Sequence, residues 1–226
     1  EGMIKSATTY KIRTCQSQKR PKKPQGNFFV TALTNGSFGY ELSYIEDGAI
    51  FGDPLVSESI GDVISLIEET SEKDANMDEM IERYPIRLLS HLKDFYSVIK
   101  KNNSFLKVES GTLGLELDNI HTSIGYENLC SSNILEQADV INGIFQGAFV
   151  ESGRFEYTDA DGKLLHGAFS EDTDVDTITE MIKKYTHRGC RMNVIRHISS
   201  LSNGKKKEQI ELVSIEESDE LEQKHG

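Results

Sequence analysis

The chain has 226 residues, 37% hydrophobic and 27% charged, with a net charge of −12 at pH 7, enough to bury one sizeable core or two small ones. No stretch reaches the run of about eighteen apolar residues that a membrane helix needs, and the N-terminus lacks the apolar core of a signal peptide. Cys15, Cys130 and Cys190 are odd in number and far apart, which argues against a disulfide framework and for a cytoplasmic setting. Met3 reads as a natural start, which would make Glu1 and Gly2 appended residues.

Charge is segregated. Residues 1–26 carry seven Lys or Arg against one acidic residue, a net +6, which leaves −18 on the other 200. The run ends in KRPKKPQG and is expected to be a basic flexible arm. A second basic stretch, residues 183–207, holds eight Lys or Arg and no Asp or Glu. Such a patch on an acidic chain guides an anionic partner or docks on the chain's own acidic surface.

Residues 27–135 are expected to form an α+β domain. NFFVTALT and SFGYELSYI are β-rich runs around Asn35-Gly36, a strong hairpin signal because both residues tolerate positive φ. After a turn at Glu46-Asp47-Gly48, Ser57 or Ser59 is placed to cap a helix with Ile60, Val63, Ile64 and Ile67 on its apolar face. Met77, Met80, Ile81 and Tyr84 open a second helical stripe, which Pro85 interrupts and restarts. Leu88, Leu92, Phe95 and Ile99 continue it, and their wide stripe reads as core packing. A hairpin follows, SFLKVES and TLGLELD, with Leu113, Leu115 and Leu117 on one face. A short helix around Ile124–Leu129 closes the domain.

Residues 136–217 read as VINGIFQGAFV, RFEYT, a turn at Asp159–Gly162, KLLHGAFS, a helix, CRMNVIRHIS, the loop LSNGKKK and EQIELVSIE. This β-β-β-α-β-β order is that of an OB-like five-stranded small barrel. Gly143 and Gly147, set on one face with Phe145 and Phe149, suit the coiling of a barrel's longest strand. The order leaves residues 218–226 as an acidic tail. Residues 86–217 also resemble a class of bacterial proteins that join a helix and hairpin to a C-terminal small barrel. The residues that carry it are Gly143-x-x-x-Gly147, Arg154-Phe155-Glu156, Asp161-Gly162 leading to Gly167-x-Phe169, Gly189, and Ile210-x-Leu212-x-x-Ile215. These keep a fold. The resemblance implies an architecture and brings no catalytic or ligand residue with it.

Chemistry is harder to find. EDTDVDTITE, residues 171–180, has carboxylates at positions 1, 3 and 5 of a calcium loop counted from Asp172, but Thr177 and Lys183 stand where the Gly and the bidentate Glu belong. It reads as a helix start, with Asp172 or Asp174 as the cap and Val175, Ile178, Met181, Ile182 and Tyr185 on the buried face. Asp159-Ala160-Asp161-Gly162 reads as a turn. There is no HxxxH, Cys-x-x-Cys, GxSxG, Walker-type loop or dinucleotide fingerprint. His187, Cys190 and His197 form only a loose grouping. No cofactor is implied.

The expectation is therefore a non-enzymatic, cytoplasmic interaction or accessory protein that binds a protein partner or a second copy through its barrel and N-terminal domain. The alternative is a single-stranded nucleic-acid binder. Its contacts would be Arg154 near the first barrel loop, Arg191 and Arg196 on the fourth strand, and Lys205, Lys206 and Lys207 in the last loop.

Overall fold

The computed structural model describes residues 2–14, 26–34, 39–45, 54–170 and 173–218. Its first element corrects the expectation for the N-terminus. Gly2–Thr14 is a helix, α1, with Ser6, Ala7 and Thr8 buried. Lys11 reaches Asp62 at 2.9 Å and Glu58 at 3.6 Å. A basic segment reads as a solvated tail only when no acidic face lies within reach, and here one does. The remainder of the expected arm, residues 15–25, lies outside the described residues.

β1 (Asn27–Thr34) and β2 (Gly39–Ile45) pair antiparallel, as the Asn35-Gly36 signal indicated. The Asn35-Gly36 turn and the turn at Glu46-Asp47-Gly48 lie outside the described residues. Helix α2 (Pro54–Thr70) starts earlier than expected. Ser57 and Ser59 are inside it, and the Ser59 hydroxyl donates to Leu55 O at 2.7 Å. Pro54 explains the shift, since a first-turn proline has the right φ and no N–H to satisfy.

Helix α3 (Met77–Arg83) ends at Pro85, and α4 (Ile86–Lys101) begins directly after it. Leu88, Leu89, Leu92 and Tyr96 of α4 are fully buried. The Tyr96 hydroxyl donates to Ile67 O at 2.7 Å and lies within 3.0 Å of the Thr70 and Ser71 hydroxyls. A buried phenol therefore ties α4 to the end of α2 with its polar atom satisfied.

The hairpin β3 (Leu106–Ser110) and β4 (Leu113–Leu117) follows. Its leucine face turns inward, with Leu117 buried, Leu115 half-buried and Leu113 exposed beside the turn. Helix α5 (Asn119–Ser131) is longer than expected at both ends, because Asp118 caps it by accepting from the N–H groups of Ile120 and His121. Gly125 of α5 is where Tyr96 fits. A Cβ there would lie 2.6 Å from the Tyr96 ring.

The last third closes as expected. β5 (Leu135–Phe149), β6 (Arg154–Asp159), β7 (Leu164–Phe169), β8 (Arg188–Ser200) and β9 (Lys206–Glu217) form a closed barrel in the order β5-β6-β7-β9-β8. Every pairing is antiparallel except β7 with β9, which is parallel and short, Ala168↔Glu211 and Phe169↔Leu212. With helix α6 (Val175–Tyr185) between β7 and β8, this is an OB-like barrel. Phe145, Phe155, Tyr157 and Phe169 fill its interior with Met192 and Val194, each buried aromatic stabilising it by about 2–3 kcal/mol.

Two details of the barrel correct or sharpen the sequence reading. Register slips between Phe145 and Gly147, and Gly147 takes φ +144°, a bulge that reverses the in-out phase. Phe145 is therefore fully buried, while Phe149 is 56% exposed rather than sharing its face. Asp174 caps α6, accepting from Thr177 N at 2.8 Å and Thr177 Oγ1 at 2.7 Å, and Lys183 and Lys184 occupy the last turn. From Asp174 onward EDTDVDTITE is a helix start, and Asp172, the alternative cap, lies outside the described residues. Among the described residues, no helix is long and apolar enough to cross a membrane.

Candidate functional site

Two cores lie side by side, one among the helices and one inside the barrel. They are joined by the tip of the β8–β9 hairpin, which is the LSNGKKK loop. Leu201 is buried in the helical core. Ser202 donates from its N–H and hydroxyl to the Asp78 carboxylate at the start of α3. These bonds, the side-chain one first, hold the Asp78 carboxyl below its usual range. The Lys207 ammonium donates to the backbone carbonyls of Ile81, Glu82 and Tyr84, the last at 3.1 Å. It therefore satisfies the orphan acceptors at the end of α3. Burial pushes the Lys207 pKa down. Gln209 Oε1 accepts from Ile86 N at 3.0 Å, satisfying the first N–H of α4.

Deeper along the same contact, Arg87 of α4 meets Glu211 of β9 at 2.7 Å, and Glu211 meets His197 Nε2 of β8 at 2.9 Å. His197 Nδ1 lies 3.2 Å from Glu136, without hydrogen-bond geometry. Burial would raise the Glu211 carboxyl. The His197 hydrogen bond, the charges of Arg87 and His197 and a Ser170 hydrogen bond outweigh it and hold the carboxyl below its usual range.

A cleft of about 270 Å³ opens beside this cluster. Residues of α1, among them Thr9 and Tyr10, form one wall, and Pro85 and Arg87 form a second. The outer face of β7 and β9 supplies the floor, where Gly167 and Ala168 are small. Arg154 and His166 line the far side. The cleft draws on both halves of the chain, and it holds histidines, arginines and glutamates that are far apart in sequence.

The six residues named for nucleic acid are scattered. Arg196 sits between Asp139, at 2.6 Å, and Glu208. Lys207 is engaged on α3. Arg191 is exposed, 3.7 Å from Glu216. Lys205 and Lys206 are exposed. Arg154 is exposed and lines the cleft. The His187–Cys190–His197 grouping separates. His187 is exposed beside Gln146, Cys190 is in the barrel core with its thiol pushed up to about 11 by burial, and His197 is in the contact with Glu211 and Arg87. Among the described residues, no group of three His, Cys, Asp or Glu side chains is placed to hold a metal ion.

The β1–β2 hairpin is the other notable surface. Cross-strand pairing sets Phe28 opposite Tyr44 and Val30 opposite Leu42, so the four share one face. The Phe28 and Tyr44 rings meet at 5.3 Å. Val30 is 58% and Leu42 50% exposed, and among the described residues the sheet has no third strand. Sequence pattern indicates the hairpin and could not show that Val30 and Leu42 are exposed. Nor did it single out Asp78, Arg87 or Gln209, whose partners are more than 120 residues away.

No protein-family model, curated protein or solved structure matches the chain.

Proposed function

We propose that the protein is a non-enzymatic interaction protein, cytoplasmic and akin to the bacterial helix–hairpin–barrel class that residues 86–217 resemble. It docks a protein partner on the β1–β2 hairpin, with the barrel and helices as the base. The observation that carries this reading is the apolar face of that hairpin on which Val30 and Leu42 are exposed beside the half-buried Phe28 and Tyr44. A two-stranded ribbon is marginal on its own, and an exposed apolar sheet face or edge is completed by a partner's strand or side chains.

The nucleic-acid reading has less support. The aromatic residues that would stack on bases, Phe155, Tyr157 and Phe169, are buried in the barrel. Two of the six proposed cations, Arg196 and Lys207, are engaged within the fold. Exposed Arg154, Arg191, Lys205 and Lys206 are what speak for it.

The test is affinity capture of the full chain after nuclease treatment, run in parallel with Val30→Glu/Leu42→Glu. The expected result is a stoichiometric protein partner that the double variant loses, with light scattering separating a second copy from another protein. Salt-sensitive anisotropy changes with single-stranded DNA or RNA, abolished by Lys205→Glu/Lys206→Glu, would replace this reading with the other.

A further inference from the structure

We propose that the cleft between α1, the start of α4 and the outer face of β6, β7 and β9 binds a small organic carboxylate with an apolar body. The inference is independent of the hairpin.

Charge accounting around the cleft is the first argument. Of its two glutamates, Glu211 is held by Arg87 at 2.7 Å and His197 at 2.9 Å. Glu208 is bonded to Arg196. His166 faces Glu156 at 3.4 Å. That leaves Arg154, which lines the cleft and has no ion-pair partner among the described residues. On a chain of net charge −12, an arginine facing a cleft whose carboxylates are already paired is a local positive site. Its planar fork matches a carboxylate by two parallel hydrogen bonds.

Shape and lining are the second argument. Tyr10, Pro85 and Ile210 contribute apolar surface, and Ala168, directly opposite Arg154 in the β6–β7 pairing, keeps the floor low. Gly167 beside it is small for another reason, since a Cβ there would lie 2.2 Å from the Phe155 ring. A volume of about 270 Å³ lies just below the usual range of about 300–1,000 Å³ for ligand pockets and suits a small molecule of about ten non-hydrogen atoms. A bare inorganic anion would leave the apolar walls uncovered, and a neutral ligand would leave Arg154 without a partner. The combination selects one negative group joined to an apolar body.

The experiment is NMR or calorimetric titration of the full chain with benzoate, hexanoate, benzyl alcohol and inorganic phosphate. Benzoate or hexanoate is expected to bind, with benzyl alcohol and phosphate at least about tenfold weaker. Arg154→Ala, a surface change that leaves the core intact, is expected to weaken carboxylate binding about tenfold or more, while Arg191→Ala leaves it unchanged. The proposal is overturned if neither carboxylate binds up to about 10 mM, if Arg154→Ala binds as well as the wild type, or if phosphate or benzyl alcohol binds as tightly as the carboxylates.

Discussion

The molecule has two hairpins that differ in what they do with their apolar residues. The β8–β9 hairpin carries Leu201 into the helical core and fixes it there with Ser202 on Asp78 and Lys207 on the end of α3. The β1–β2 hairpin holds Val30 and Leu42 half in solvent with no third strand beside it among the described residues. Each has strong turn chemistry and an alternating pattern, so the local rules are alike. The difference is in long-range supply. The tip of β8–β9 meets a helix with unsatisfied carbonyls and a core with room for a leucine, while among the described residues of β1–β2 Val30 and Leu42 stay exposed. A lysine-rich loop on a barrel can thus be an internal fastener, and an unremarkable β-ribbon can be the exposed surface.

Breaking the docked hairpin should have the largest effect. Leu201→Glu buries a charge in the helical core and is expected to lower stability by about 4 kcal/mol, read by urea unfolding. Glu211→Gln comes next at about 2–3 kcal/mol, because it leaves Arg87 and His197 without their carboxylate. That variant also tests pH dependence. The Glu211 carboxyl is held below its ordinary value of 4.5, so its stabilisation is complete above that pH and is lost as pH falls through the folded value. Acid unfolding curves should show this loss in the wild type and not in Glu211→Gln. Lys207→Met removes the donor for the carbonyls of Ile81, Glu82 and the C-cap Tyr84 and is expected to cost about 1 kcal/mol, since water can replace part of what is lost. Smallest is Val30→Glu/Leu42→Glu, expected to change stability by less than about 0.5 kcal/mol while abolishing partner capture. A loss of several kcal/mol there would mean that the hairpin face is packed inside the fold, and the contrast between the two hairpins would disappear.

The barrel was legible because its signals are local. Alternation, the Asp159–Gly162 turn and the Asp174 cap each act within a few residues, and together they specify the strand order. The Phe149 phase was not legible, since the bulge at Gly147 depends on how β5 moves from its pairing with β8 to its pairing with β6. Helix α1 was missed for a similar reason. Its basic residues resemble a tail until Asp62 and Glu58 of α2 are set beside Lys11. Of the candidate site, Arg154 was named from sequence, though for a different ligand. The cleft was not, because its walls come from segments near residues 9, 86, 154, 166 and 210 that only the folded chain brings together.

Leu201 also bears on how the chain folds. It belongs to one core by packing and to the other by the strands that carry it. Opening either half draws that leucine into water and releases the carbonyls at the end of α3, so the two cores are expected to unfold in one cooperative transition, with two probes giving coincident curves. On that expectation the helices and the barrel fold together, and a barrel cut out at residue 136 would lack the surface that shields its own hairpin tip.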